Sequence, residues 1–375
     1  MLMIPPEPNP SSVVIPDLND IASWQYELPD ALIASRPTEN RDDSRLMVVR
    51  RDTGAIEHGR IRDLPDLLSA NDRLVFNNTK VVPGRLFGFR TDTKGKWEGL
   101  FLQELPDGRW KITGQTRGRL QAGESLTIVP AQLADDANQF TLSAEPLLLT
   151  LNEQCEDGSW LVTPSQKQSA FELLDAFGTL PLPPYIGRKV ADKHDQDRYQ
   201  TIFANQPGSI AAPTAGLHFT QELLDRCRQQ GLLTTEVTLH VGIGTFRPVS
   251  TDKLSDHHMH AEWCRVTQQA ALEILLTKAS QGNVVAVGTT SVRTLEASSF
   301  SHDSDGWSGS TNLFIKPGFE FRFVDKLITN FHLPGSTLIV LVAALAGYEL
   351  TMEAYRKAVE QRYRFYSYGD AMMIL

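Results

Sequence analysis

Apolar residues change their spacing along this chain, and the changes divide it. The first runs are short and read as strands, Leu46-Met47-Val48-Val49 and then Leu74-Val75-Phe76, which leads into Asn77-Asn78-Thr79-Lys80. From about Arg85 to Leu161 short alternating runs are cut by Gly, Asp and Pro, with strands expected at 86–89, 97–102, 110–113, 125–129, 140–144 and 159–163. Strands this short and closely spaced predict a small β-barrel. Beyond Leu180 the spacing predicts alternating helices and strands. A helix over 221–230 has Thr220 as N-cap, Leu223, Leu224 and Cys227 on one stripe, and Gly231 as its stop. A strand at 234–241, a helix at 268–280, a strand at 284–287 and a helix at 291–298 follow. Further strands are expected at 313–315 and 321–327, with a last helix near 352–363.

The pattern predicts a three-layer α/β domain with much parallel pairing and an inserted β-barrel. The expected division is a disordered extension over 1–23, an α/β catalytic domain over 24–84 and 164–375, and the barrel over 85–163. The apolar run from Leu338 to Ala346 stops at Gly347, short of the roughly 20 residues a membrane span needs. It predicts a buried helix and no membrane partner.

Composition narrows the function classes. The chain has 375 residues and a formal net charge of −9, so no global field draws it to nucleic acid, and RNA contact requires a local basic surface. Cations in the barrel segment (Arg85, Arg90, Lys94, Lys96, Lys111, Arg117, Arg119) read as a solvated face on composition. Cys155, Cys227 and Cys264 form no Cys-x-x-Cys pair, which fits a cytoplasmic protein without disulfides or a thiolate zinc site. Residues 1–20 are proline-rich and lack a basic start followed by an apolar core, so they read as an extension rather than a signal peptide.

Candidate chemistry collects where strands give way to helices, the place where ligands sit in such sheets. Ala212-Pro213-Thr214-Ala215-Gly216-Leu217-His218-Phe219-Thr220 sets an imidazole and two hydroxyls beside a helix start, where unpaired N–H groups favour an anion or a neutral imidazole. Gly288-Thr289-Thr290-Ser291-Val292-Arg293 combines a glycine turn, hydroxyls and an arginine suited to a carboxylate or phosphate. It is neither a Walker loop nor a Gly-x-Gly-x-x-Gly fingerprint. Leu239-His240-Val241-Gly242-Ile243-Gly244-Thr245-Phe246 and Asp256-His257-His258-Met259-His260-Ala261-Glu262 add further histidines, without the His-Glu-x-x-His spacing of a zinc protease. His240, His257 and His260 could converge on a metal, or act as acid–base groups around an organic substrate. His332, in Thr329-Asn330-Phe331-His332-Leu333-Pro334-Gly335-Ser336, precedes the buried helix.

Taken with Tyr26-Glu27-Leu28-Pro29, Arg41-Asp42-Asp43-Ser44-Arg45-Leu46, Leu180-Pro181-Leu182-Pro183-Pro184-Tyr185-Ile186, Asp197-Arg198-Tyr199-Gln200-Thr201 and Tyr363-Arg364-Phe365-Tyr366-Ser367-Tyr368-Gly369-Asp370-Ala371-Met372, these strings carry a resemblance. From about Tyr26 to the C-terminus the chain resembles the S-adenosylmethionine:tRNA ribosyltransferase-isomerases of queuosine biosynthesis. Ala261 and Gly84 depart from the residues common there, and neither removes an ionisable group. The resemblance implies an α/β domain carrying a small barrel. It also implies transfer and isomerisation of the ribosyl part of S-adenosylmethionine onto a 7-aminomethyl-7-deazaguanine at the tRNA wobble position, releasing adenine and methionine.

That chemistry needs a base for the C5′–H beside the sulfonium, protonation of departing adenine and a neutral amine. It needs no metal, because the sulfonium supplies the activation. His218 and His260 are the leading acid–base candidates, with His240, His332, Glu262 and Asp370 as the remaining pool. Thr214, Gly216, Gly244, Thr245, Gly288, Thr289, Thr290, Ser291 and Arg293 are expected around S-adenosylmethionine. Asn77, Asn78, Tyr185, Arg188, Lys189, Asp197, Arg198, Tyr199 and Gln200 are expected to meet a splayed anticodon loop, with Arg188, Lys189, Lys193 and Arg198 as phosphate contacts. A monomer is expected. A metal-dependent hydrolase and a non-catalytic RNA-binding module are the competing readings.

Overall fold

The computed structural model describes residues 16–136, 146–242, 244, 251–300 and 305–375. Strands β1 (Arg45–Val49) and β2 (Ile56–Arg60) form a hairpin, followed by helix α1 (Leu64–Leu67), β3 (Arg73–Asn77) and β4 (Thr79–Val81). Six strands come next: β5 (Arg85–Arg90), β6 (Lys96–Glu104), β7 (Trp110–Thr116), β8 (Ser125–Val129), β9 (Leu147–Gln154) and β10 (Trp160–Pro164). Helices α2 (Ala170–Phe177) and α3 (Lys193–Arg198) and strand β11 (Gln206–Ser209) return the chain to its core. The core continues with α4 (Gln221–Gln229), β12 (Leu233–Leu239), β13 (Glu262–Thr267), α5 (Gln268–Ala279), β14 (Val284–Val287) and α6 (Thr289–Ala297). It ends with β15 (Gly306–Thr311), β16 (Lys326–Asn330), α7 (Thr337–Ala346), α8 (Tyr348–Glu360) and β17 (Ala371–Ile374).

Among the described residues one sheet runs β15-β13-β12-β3-β14-β16-β17-β1-β2, and β5 to β10 close into a separate antiparallel barrel. β12, β3, β14 and β16 are mutually parallel, while β13 and β17 run against them. Side-chain alternation makes the layers. Met47, Val75, Ala286, Leu327 and Met372 face α5 to α8, whereas Leu46, Phe76, Val287, Ile328 and Met373 face α1, α4 and the Thr214–His218 turn. Ser336 caps α7 through its side chain, and Ile339 to Val342 are buried in that core. No single helix among the described residues is long and apolar enough to cross a membrane.

The barrel core is aromatic and aliphatic, with Trp97, Phe101, Trp110, Ile112, Ile128 and Leu149 inside, and α2 closes it with Leu173, Leu174 and Phe177. This helix follows the barrel strands in sequence but packs with them. Lys189 reaches Glu98 of β6 at 3.2 Å, tying the barrel to the segment beyond it.

Several expectations need correction. The strand expected at 140–144 lies outside the described residues, and the barrel is instead completed by β9. The 313–315 segment is not a strand, and 321–327 becomes strand only from Lys326. The cause is local: the buried Glu296 carboxylate accepts the N–H groups of Arg322, Phe323 and Val324 at 2.9–3.0 Å, replacing a strand partner. Residues 17–23, expected within the disordered extension, pack onto the core. Asp17 pairs with Lys253 at 3.0 Å, Asp20 caps the Ile21–Trp24 turn, and Trp24 is fully buried.

Candidate active site

Parallel strands end at the same side of a sheet, so the four parallel strands deliver their exits to one edge. Asn77 ends β3 and Asn78 follows it, His240 follows β12, Gly288 follows β14, and Asn330 ends β16. The antiparallel β13 and β17 begin there, with Glu262 and, just before Ala371, Asp370. At about 4.8 Å per strand the row from β13 to β16 is roughly 20 Å long, enough for an extended ligand.

His218 closes the Thr214–His218 turn over this edge and is 4% exposed. Its Nε2 lies 3.3 Å from Asn330 Nδ2, which also donates to the Tyr366 carbonyl. A bond to the Arg41 backbone engages the ring as well. With Asn330 donating to Nε2, the ring proton is assigned to Nδ1 and the one Nε2 lone pair accepts the Asn330 N–H. Burial, then the charges of Arg364 and Arg41, push its pKa down to about 4, so the imidazole is neutral near pH 7. Gly216 packs flush beneath the turn, where a Cβ would stand 2.8 Å from Phe203 and from Thr201. It shapes the loop by letting those side chains approach. Thr214 opens the same turn and is half-buried.

At the β14–α6 turn Gly288 has φ +91°, a conformation glycine permits. A Cβ there would lie 3.5 Å from Thr290 Oγ1 and 3.6 Å from the Ala215 side chain, so this turn abuts the His218 turn. Thr289 and Ser291 are buried, and Ser291 Oγ donates to the Val287 carbonyl at 2.9 Å. Arg293 does not present the free guanidinium expected of a carboxylate anchor. It is buried, paired with Glu262, and donates to the Leu313 carbonyl at 3.2 Å and the Thr311 carbonyl at 3.4 Å. Glu262 spends its other oxygen on the Gly242 N–H at 2.8 Å. The pair locks β13 to α6 and leaves neither group free for acid–base work.

The remaining candidates separate by environment. His240 bonds Thr79 Oγ1 through Nδ1 at 2.7 Å and stacks on the half-exposed Trp263, with ring centroids 5.0 Å apart. Desolvation lowers its pKa. His260 is exposed beside Gly244, and Thr245 lies outside the described residues. His332 is enclosed by Tyr355 Oη, 3.1 Å from Nδ1, and Thr329 Oγ1, 3.2 Å from Nε2, and desolvation pushes its pKa down to about 3. Asp370 accepts the backbone N–H groups of Arg45 and Arg364 at 3.0 and 2.8 Å, and burial raises its pKa. Asn77 bridges Leu239 and Thr79, and Asn78 bonds Glu236 and Thr238.

Much of the expected RNA-contact set is spent on folding. Arg188 forks onto the fully buried Asp195. Tyr199 is buried against Tyr368, and Gln200 completes the Val81 backbone pair. Tyr185 accepts the Ser367 N–H at 3.1 Å and stacks on Tyr366. Asp197 has an exposed side chain and gives its carbonyl to Arg41, while Arg198 holds the Thr38 and Glu39 carbonyls. Among the described residues His240, His257 and His260 do not form a metal-type cluster. Asp192, His194 and Asp195 do, but both carboxylates are already ion-paired with Arg36 and Arg188.

The family model described as queuosine biosynthesis protein matches residues 21–374. The chain belongs to that family. It is similar to the S-adenosylmethionine:tRNA ribosyltransferase-isomerase of Symbiobacterium thermophilum, 46% identical over 95% of this chain and 99% of that one. The enzyme of the same name from Thermoanaerobacter sp. is 44% identical over 94% and 99%. A solved structure of an S-adenosylmethionine tRNA ribosyltransferase from Thermotoga maritima is 35% identical, with a TM-score of 0.52, over 94% of this chain and all of that one.

For a queuosine biosynthesis family member, the telling feature of this edge is what it leaves unpaired. Among the described residues, the buried side-chain atoms without a partner are Arg198 Nε, Thr201 Oγ1, Thr290 Oγ1 and Asn330 Oδ1. Each borders the His218 turn: Asn330 bonds His218, Thr201 touches Gly216, the Thr290 hydroxyl lies by Gly288 and Ala215, and Arg198 lines a cleft with Leu217 and His218. Buried polar atoms are rarely left unsatisfied, so the cluster of them makes the His218 turn the candidate substrate site. Asn330 and Arg41 were missed by sequence reasoning, although Asn330 stands two residues from His332 in a quoted motif. Nothing local separates a histidine partner from a helix-start residue.

Proposed function

We propose that this chain transfers and isomerises the ribosyl moiety of S-adenosylmethionine onto the 7-aminomethyl-7-deazaguanine wobble base of tRNA, yielding epoxyqueuosine-tRNA, adenine and methionine. The observation that carries the reading is His218: neutral, held by Asn330, and ringed by unpaired buried polar atoms. Its Nε2 takes the C5′ proton acidified by the sulfonium once bound substrate displaces the Asn330 N–H that this lone pair otherwise accepts. Thr290 and Asn330 supply hydrogen bonds to the nucleoside, and a dry pocket keeps the attacking amine neutral. Adenine leaves with the glycosidic electron pair and takes a proton, while the neutral amine forms a C–N bond to a ribosyl carbon and gives up a proton. The C5′ carbanion closes the carbocycle with a C–C bond, and methionine leaves with the C5′–S pair as a ribosyl oxygen closes the epoxide. The enzyme acts as a cytoplasmic monomer and grips the anticodon loop with the target base splayed out.

A single-turnover assay with S-adenosylmethionine and tRNA carrying the aminomethyl-deazaguanine tests this, with and without chelator. Adenine and methionine should appear together with an epoxyqueuosine nucleoside, unaffected by chelator. Tight RNA binding without adenine release would overturn it in favour of a binding module, and loss of turnover on chelation would restore the metal reading.

A further inference from the structure

Resting on that reading, we propose that the cleft between Arg41, Arg198 and His218 seats a phosphodiester of the RNA substrate. The cleft is also lined by Thr38, Ser44 and Tyr368, and no carboxylate side chain lines it. Its volume of about 10 Å³ admits one oxygen-sized group, such as a non-bridging phosphate oxygen.

Its two arginines are set apart from the others nearby. Arg36 and Arg188 are ion-paired with Asp192 and Asp195. Arg41 instead donates to the Leu217 and Asp197 carbonyls at 3.0 and 2.8 Å, and Arg198 to the Glu39 and Thr38 carbonyls at 2.9 and 2.8 Å. Among the described residues neither forms a salt bridge. Arg198 Nε has no acceptor although it is buried. Burial, followed by the charge of Arg198, pushes the Arg41 pKa down to about 10, and the neighbouring Asp197 carboxylate offsets only part of that shift. Arg364, whose charge also reaches His218, adds a third cation.

The other anion in the reaction is the methionine carboxylate of S-adenosylmethionine. That group carries an ammonium on the adjacent carbon, so its site needs an acidic or acceptor-rich neighbour beside the cation. A cleft with arginines and no carboxylate matches a phosphodiester, which is anionic only. The arginines come from segments far apart in sequence, 36–44, 197–198 and 364–369, which bond one another beside the His218 turn. An RNA phosphate here would place the backbone of a splayed nucleotide directly beside the base that acts on it.

The test uses the full chain and an unmodified anticodon stem-loop RNA, so that binding is read without turnover. Affinity is measured from low to moderate salt for wild type, Arg198→Gln, Arg41→Gln and Arg198→Lys, with S-adenosylmethionine affinity measured separately by calorimetry. Each Gln variant should lower the slope of log affinity against log salt by about 0.7 to 0.9, the signature of one lost phosphate contact. Arg198→Lys should keep the slope while weakening binding, because charge remains and the fork is lost. Unchanged S-adenosylmethionine affinity in all variants is expected, and it also reports that they are folded.

Weaker RNA binding with an unchanged slope in the Gln variants would overturn the proposal and mark a structural role. Loss of S-adenosylmethionine affinity with RNA binding intact would overturn it by making the cleft a carboxylate site. A slope that falls only in an Arg117→Gln, Arg119→Gln variant would move the phosphate contact to the barrel and also overturn it. None of these outcomes depends on product formation, so failure of the transferase reading is seen separately.

Discussion

His218 and His332 are both held neutral by burial, with pKa values pushed down to about 4 and about 3, yet their surroundings differ in kind. Around His332 no described side-chain atom is left over: Tyr355 and Thr329 bond its ring, and Tyr26 Oη donates to its carbonyl. The same holds across the sheet for Glu262 and Arg293. Around His218 polar atoms are buried and left over. A depressed pKa therefore does not single out a catalytic group. The proposed role of His218 rests instead on the unsatisfied partners around it, because unspent polar groups leave interaction energy for a substrate.

The largest test of that contrast is His218→Gln, which should lower single-turnover rate by about 10²–10⁴-fold with melting temperature nearly unchanged. Activity within tenfold of wild type would erase the distinction. On the saturated side, Glu262→Gln leaves Arg293 buried without its counter-charge and should cost about 3–5 kcal/mol of stability in denaturant unfolding. His332→Phe should cost less, about 1–3 kcal/mol, through the stranded Tyr355 and Thr329 groups, while the folded fraction keeps its rate per molecule. A rate collapse in folded His332→Phe would reverse the comparison.

Acid gives the smallest and most graded test. Above about pH 6.5 both histidines are neutral in the folded and unfolded chain, so they contribute nothing to pH dependence. Below it the unfolded chain binds protons that the folded chain refuses, so stability falls as pH drops, until about 4 for His218 and about 3 for His332. Melting followed from pH 7 to 4.5 should fall less steeply in His332→Phe than in wild type. Parallel curves would show that the folded protein does not hold this imidazole neutral.

Much of the architecture was legible because it rests on local periodicity. The helix over Gln221–Gln229 with its Thr220 cap, the β14–α6 turn and the buried apolar helix α7 follow from spacing and capping alone. The Gly- and Ser-rich β15 was illegible, since its strand character comes from pairing with β13 and from no propensity of its own. The stretch before Lys326 failed for the opposite reason, as a carboxylate from a distant helix took the backbone donors that a strand would have used.

For the site, sequence determined which loops carry chemistry, because strand-to-helix exits are marked by glycine, hydroxyls and histidine, and a family signature spans them. Tertiary structure decided which of those residues are free to act. Arg293 and Glu262 neutralise each other, Asp370 is committed to backbone N–H groups, and Arg188 is committed to Asp195. Arg41 and Arg198 arrive at His218 from segments more than 150 residues apart. Residue type and spacing fix what a side chain can donate or accept. Whether that capacity is already consumed depends on neighbours brought by the fold, and that accounting exists only in three dimensions.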